Sequence, residues 1–315
     1  MRHPWPWLIT LPLLFAVPGC ALVAPTAPAG RFVEVASGRT LSADEFYARA
    51  LAADKLLLGE RHDNPDHHAL RGQLIARLAL ARPGLVVVAE QLEIRPIGAG
   101  AAEAAIGIQS PAEPAPLREV AWGNDLLASL TAAGFDAQGW DWPMHQPLFA
   151  PLAAGKIHLR PGNLPREQVR LAARGGVSSL PPALAAVVEA APLTEAGQAA
   201  LDADLIAGHC GQLPEARRPA MRAAQRARDA AMFSALRDSG GRPAVLVAGN
   251  GHVRTDYGVP VLIARQRPAP LLISLGMLEV SELEAGADLR AQPYTYVWIG
   301  RDIARDDPCA GFKPM

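Results

Sequence analysis

Three short apolar runs, each ending in polar side chains, constrain this chain more than any other feature. Leu56-Leu57-Leu58 leads into Gly59-Glu60-Arg61-His62-Asp63, Val86-Val87-Val88 into Ala89-Glu90-Gln91, and Val245-Leu246-Val247 into Gly249-Asn250-Gly251-His252. The stretch between the first two, Asp66 to Ala81, repeats Leu70, Leu74, Leu78 and Ala81 at helical spacing, and Pro83-Gly84 stops it. Ahead of the first run, Ser42 and Glu45 form a capping-box signature for a helix reaching Ala53. Alternating helix and strand calls for an α/β fold with a mainly parallel sheet, because parallel neighbours need a crossover and cannot be joined by a hairpin. In such a sheet ligands sit beyond the carboxyl ends of the strands, so three polar run ends predict one shared site.

Further along, Gly98 to Pro116 reads as an irregular excursion, Leu117 to Ala132 as a helix, and Phe135 to Trp140 and Lys156 to Arg160 as short strands. From Arg166 to Gly240 only helical patterns occur: Glu167 to Arg174, Pro182 to Ala190, Gly197 to Ala207 and Glu215 to Asp238. A helical subdomain inserted over about 166–240 is therefore expected, as a lid or a dimer surface. The sheet then resumes with Ala244 to Ala248, Leu271 to Leu275 and Tyr294 to Ile299.

The ends add a compartment. Arg2, the apolar stretch Trp7 to Val17 and Pro18-Gly19-Cys20 read as a secretory signal over residues 1–19, too short to span a bilayer. The segment resembles the lipobox of bacterial lipoproteins, with Cys20 the lipidated residue, and Ala21 rather than Asp after it favours the outer membrane. Residues 20–30, rich in Pro and Ala, read as a flexible tether, and 31–315 as the folded part. A formal net charge of −1 argues against nucleic acid as partner. Cys210 and Cys309 are candidates for a disulfide or for buried thiols; spacing alone does not choose.

Glu60 and His62 lie two apart after an apolar run, so in extended chain both side chains point the same way, as a shared ligand or proton relay requires. Glu90 ends a β-type run where an unpaired carboxylate is costly to bury, and His252 follows a glycine-rich turn that admits close backbone approach. Together these four could hold a divalent metal or activate water. His67 and His68 read as a solvated first helical turn. On the long helix Met221, Gln225, Arg228, Asp229 and Met232 share one stripe, where Gln225 and Asp229 could simply bond locally. No HExxH, Gly-x-Ser-x-Gly or phosphate-loop pattern occurs.

With LLLGERHDNPDHH, VVVAEQLE, Trp142-Pro143, Asn163-Leu164-Pro165, HCGQLPE followed by MRAAQRARDAAMF, and GNGHVRTDYGVP in view, the sequence resembles the ChaN-like haem-binding lipoproteins of the Tiki, TraB and erythromycin esterase group. That resemblance implies a three-layer α/β/α fold and haem bound between two subunits of a homodimer, with two haems face to face. It further implies a tyrosine on the iron and a histidine at the propionates, roles open to Tyr257 and to His209 or His252, with Arg254 a propionate partner. The function implied is haem capture for iron uptake at the outer membrane, by a binding protein rather than an enzyme. A hydrolase using Glu60, His62, Glu90 and His252, metal-assisted or not, is the alternative.

Overall fold

The computed structural model describes residues 28–94, 119–283 and 288–310. The expected leader, Cys20 and the excursion at 98–116 lie outside the described residues. The chain runs β1 (Gly30–Glu34), β2 (Arg39–Leu41), α1 (Ala43–Ala52), β3 (Lys55–Leu58), α2 (Pro65–Ala81) and β4 (Val86–Glu93). It continues with α3 (Leu126–Ala132), α4 (Gln146–Ala154), β5 (His158–Asn163), α5 (Arg166–Gly175), α6 (Pro182–Glu189), α7 (Glu195–Gly208) and α8 (Arg218–Arg237). Then come β6 (Ala244–Val247), α9 (Asn250–Val253), α10 (Val259–Ile263), β7 (Leu272–Glu279) and β8 (Tyr296–Gly300).

One eight-stranded sheet has the order β2-β1-β8-β7-β3-β6-β4-β5. Six neighbouring strands, β8 through β5, pair in parallel; β1 pairs antiparallel with both β8 and β2. Side chains alternate across a strand. Leu56 and Leu58 therefore join a core with Phe46 of α1, Ile75 and Leu78 of α2 and Leu148 and Phe149 of α4. Leu57 points the other way, into a core with Met232, Phe233 and Leu236 of α8 and Leu262 and Ile263 of α10. Both faces of β3 are buried, which is why its run is apolar throughout and does not alternate. The three-layer α/β/α arrangement follows directly.

Between β5 and β6 there is no strand, only α5 to α8. These helices do not stand off the sheet: Ala172 of α5 and Leu184 and Val188 of α6 pack on Ala227, Ala230 and Ala231 of α8, whose other side chains meet the sheet.

Two expectations for individual elements need correction. Phe135 to Trp140 forms no strand: Phe135 makes one isolated bridge to Leu92, after which the chain turns. Asp136 accepts the Gly139 amide at 3.0 Å on its side chain and the Trp140 amide at 3.0 Å on its carbonyl, so these donors serve a local turn and not a ladder. The helix expected from Leu117 begins at Leu126, where the Asp125 side chain caps it by accepting from the Ala128 amide. The β1–β2 hairpin adds two further strands at the sheet edge, with Phe32 opposite Leu41. Pro161, within β5, is tolerated because β5 is the sheet's last strand.

Candidate functional site

β6 lies between β3 and β4, so the three polar run ends meet. Two glycines make the approach close. A Cβ on Gly59 would fall 2.3 Å from Asn250 Oδ1, and one on Gly249 would fall 3.0 Å from the His62 ring and 3.6 Å from Glu90 Oε2. With no side chain at 249, its amide donates to Glu90 Oε2 at 2.7 Å.

Glu60 is the hub of the first half of the site and is only 2% exposed. Its Oε1 accepts from Gln91 Nε2 at 2.7 Å and contacts His62 Nδ1 at 2.8 Å, while its Oε2 meets the Arg71 guanidinium and lies 2.8 Å from His68 Nδ1. His68 Nε2 lies 3.0 Å from the His62 carbonyl, which can only accept, so Nε2 carries the proton. Its Nδ1 is then a lone pair facing the carboxylate, and Arg71, which donates to it at 2.9 Å, is the cation that bridges the two acceptors. His67 and His68 are thus fully buried and not solvated: the helix start turns inward, and His67 Nδ1 accepts the Arg61 amide at 3.0 Å. Burial pushes His67 down to about 3, His68 to about 4 and His145 to about 2, leaving all three neutral at pH 7. Arg71, pushed down to about 9 by burial, stays charged.

The second half is a chain of Glu90, His252 and Asp229. His252 Nε2 lies 3.3 Å from Glu90 Oε1 and its Nδ1 2.7 Å from Asp229 Oδ1, with the Gln225 amide nitrogen 3.1 Å from the ring. Asp229 therefore serves His252 instead of bonding Gln225. Burial disfavours the imidazolium, but Glu90 and Asp229 outweigh it and raise the His252 pKa to about 10. Burial likewise opposes the Glu90 charge, and His252, His62 and the Gly249 amide hold that carboxyl well below its usual range.

The expected metal set does not fit this geometry. Both His252 ring nitrogens face protein carboxylates, Glu90 at 3.3 Å and Asp229 at 2.7 Å, and among the described residues no three of the expected four bring ligand atoms close enough together to share an ion. Among the described residues, the atoms close enough to share an ion are those of Glu60, His68 and His145, all within 4.8 Å of one another. Arg71, however, already places its positive charge on two of those three ligands, and a second cation there would meet it at close range.

Beyond these groups opens a cleft of about 650 Å³, within the size range of small-molecule sites. Glu60, His62, Glu90 and His252 line it together with Tyr257, Arg228 and the α7 residues Leu201, Asp204 and Leu205. The Tyr257 side chain, in a residue 1% exposed, donates its hydroxyl to Asp204 Oδ2 at 2.5 Å. Burial and the Asp204 carboxylate push the phenol above its usual range, against the pull of Arg254, whose guanidinium carbon lies 4.7 Å from the ring centroid. Arg254 itself is taken up by Asp256 at 2.7 Å and Asp204 at 3.1 Å, so the propionate partner expected of it is already replaced by protein carboxylates. His209 stands at the C-cap of α7, one residue past the lining Gly208, with Nδ1 2.7 Å from the Leu205 carbonyl. Cys210 and Cys309 are joined as a disulfide, their Cα atoms 5.6 Å apart, which brings Pro308 to the cleft rim.

Fold and cleft together define an α/β protein that gathers acid, imidazole and phenol groups at the carboxyl ends of a parallel sheet. The family described as haem-binding uptake, Tiki superfamily, ChaN matches residues 46–263, well over half of the chain and every residue of the two networks above, and the chain belongs to that family. A solved structure of Campylobacter jejuni ChaN, described for cofacial haem binding, is similar at a TM-score of 0.63 and 17% identity, with 87% of this chain and 97% of that one covered. At that identity it supports the fold alone. An erythromycin esterase mutant in its open conformation aligns at a TM-score of 0.36 and 13% identity over 80% of this chain and 77% of that one, too loosely to carry argument. No curated protein matches the chain.

Proposed function

We propose that this protein binds haem in the cleft at the ends of β3, β4 and β6, as a homodimer lipid-anchored through Cys20 at the outer membrane, and serves haem capture for iron uptake. The observation that supports this most is the match of a haem-binding family across the residues that build the cleft. The cleft itself suits a flat amphipathic ligand: Leu201 and Leu205 supply apolar wall, and Tyr257, His252 and arginine supply polar contacts. Glu60, beside Arg71 and bonded by Gln91, is tied into the protein's own network.

Bound haem supplies a ferric iron open to an oxygen ligand. Tyr257 can offer phenolate only after its hydroxyl proton leaves, and Asp204 Oδ2, 2.5 Å away, is placed to receive it. Arg254 keeps that carboxylate oriented by its contact at 3.1 Å.

Titration of the purified protein with ferric haem is expected to give a saturable Soret shift, with light scattering reporting a mass doubling, and Tyr257→Phe is expected to alter the ferric spectrum. A Soret change no different from that with a nonspecific carrier protein would remove the proposal.

A further inference from the structure

Charge in the cleft is paired almost throughout. Glu60 meets Arg71; Glu90 meets His252 at 3.3 Å; Asp204 meets Arg254 at 3.1 Å; Asp63 meets Arg305 at 2.7 Å and Arg61 at 3.5 Å. Arg228 is different. It lines the cleft from α8, one turn after Gln225, yet it has no hydrogen bond or ion pair to any described residue, and its Nε is buried without a partner. A guanidinium is a planar fork of donors whose geometry matches a carboxylate through two parallel bonds, and one partly withdrawn from water leaves donors unsatisfied until such a partner arrives. The other arginine lining the cleft, Arg61, and Arg254 beside it under Tyr257 already hold protein carboxylates.

From this contrast we infer that Arg228 is the carboxylate anchor of the cleft: it takes a propionate of the bound haem and makes the site selective for porphyrins with free carboxylates over their esters. The inference rests on the haem reading above and sharpens it. It assigns to Arg228, not Arg254, the charge recognition of the ligand. Leu201 and Leu205 of α7, in the same cleft, provide the surface on which an esterified porphyrin would still bind. The ester should therefore lose only the charge-assisted contact.

The test compares ferric haem with ferric haem dimethyl ester, whose propionates carry no charge, by absorbance titration of wild-type protein, Arg228→Gln and Arg228→Lys. Wild type should prefer haem over the ester by on the order of tenfold or more, the scale of one charge-assisted bond. Arg228→Gln should lose about that factor for haem and nothing for the ester, because only haem uses the guanidinium. Arg228→Lys should recover part of it, a point charge replacing a two-pronged donor. Arg228 holds no partner, so the variants should melt at the wild-type temperature. Unchanged haem affinity in Arg228→Gln, or equal losses for haem and ester, would overturn this inference alone. Failure of the wild type to bind either porphyrin saturably would overturn the haem reading, and this inference with it.

Discussion

At the scale of single residues the site is held by buried charges that depend on one another. Arg71 and Glu60 are both inaccessible, and the guanidinium is the cation that offsets the carboxylate and satisfies His68 Nδ1. Arg71→Met should therefore cost about 3–5 kcal/mol in urea denaturation, since it leaves an uncompensated buried carboxylate. Arg71→Met combined with Glu60→Leu should recover much of that loss, because the pair is then replaced by apolar groups. His252 yields a second expectation. Its pKa rises from 6.5 to about 10 on folding, so between those values the folded protein keeps a proton that the unfolded chain releases. The stability due to His252 is complete below about 6.5 and is lost as pH rises through about 10. Denaturation midpoints of wild type should thus fall more steeply from pH 7 to pH 10 than those of His252→Gln. Equal slopes would place the charge of this cluster elsewhere. Glu60, Glu90 and His252 were legible in the sequence because each follows an apolar run. Gln91 and Asp229 were visible as part of a run end and of a helix stripe but their partners were not, and Arg71 and His145 carried no signal, since nothing local marks a polar residue as the partner of a group reached only through the fold.

At the scale of elements, the strands with two buried faces announced themselves. β3, β4 and β6 carry the unbroken apolar runs Leu56–Leu58, Val86–Ala89 and Ala244–Val247 because helices cover both sides. The β1–β2 hairpin sits at the sheet edge with its first residues exposed, so it has no comparable signature. Phe135 to Trp140 has the composition of a strand, but its backbone donors are taken by the Asp136 turn. The helix start at His67 and His68 turns inward for a related reason: histidine is neither strongly polar nor apolar, and only the partners the fold brings, Trp298 for His67 and Glu60 for His68, decide which way each ring faces. After β8 the described residues 301–310 form no helix or strand and are held by contacts instead. Arg301 meets Asp66 at 2.7 Å, Arg305 meets Glu279 at 2.5 Å, and Cys309 is bonded to Cys210 across a sequence separation of 99. Closing a loop that long removes much entropy from the unfolded chain, so Cys309→Ser should destabilise by about 2–4 kcal/mol. Amide hydrogen exchange should then show loss of protection around 301–310 before any loss in β7 or β8. Protection unchanged in that segment would mean that the arginine contacts suffice to hold it.

For the molecule as a whole, the question is whether the helices between β5 and β6 form a separable cap or part of one body. Composition favours a cap, because an α/β alternation is interrupted by helices alone. Packing favours one body: α8 buries Met232, Phe233 and Leu236 on the sheet while Ala227, Ala230 and Ala231 receive α5 and α6. The same helix carries Gln225 and Asp229 to His252, and Arg226 reaches the Ala191 carbonyl at 2.7 Å and the Tyr257 carbonyl at 3.2 Å. Loosening these helices would expose core on both sides of α8 and break the site in the same motion, so their opening is coupled to that of the sheet. Unfolding by urea with the disulfide intact should accordingly be a single transition. Far-UV circular dichroism is weighted towards the helices, whereas fluorescence from Trp122, Trp140, Trp142 and Trp298 reports on the other layer, where those residues pack with the sheet's first core. The two curves should coincide, and saturating haem should shift both midpoints upward together, since a ligand held by α7, α8 and the strand ends stabilises only the state in which all are assembled. A dichroism curve that leads the fluorescence would instead identify the helices as a unit that melts on its own, and would return the cleft to the description of a lid over a sheet.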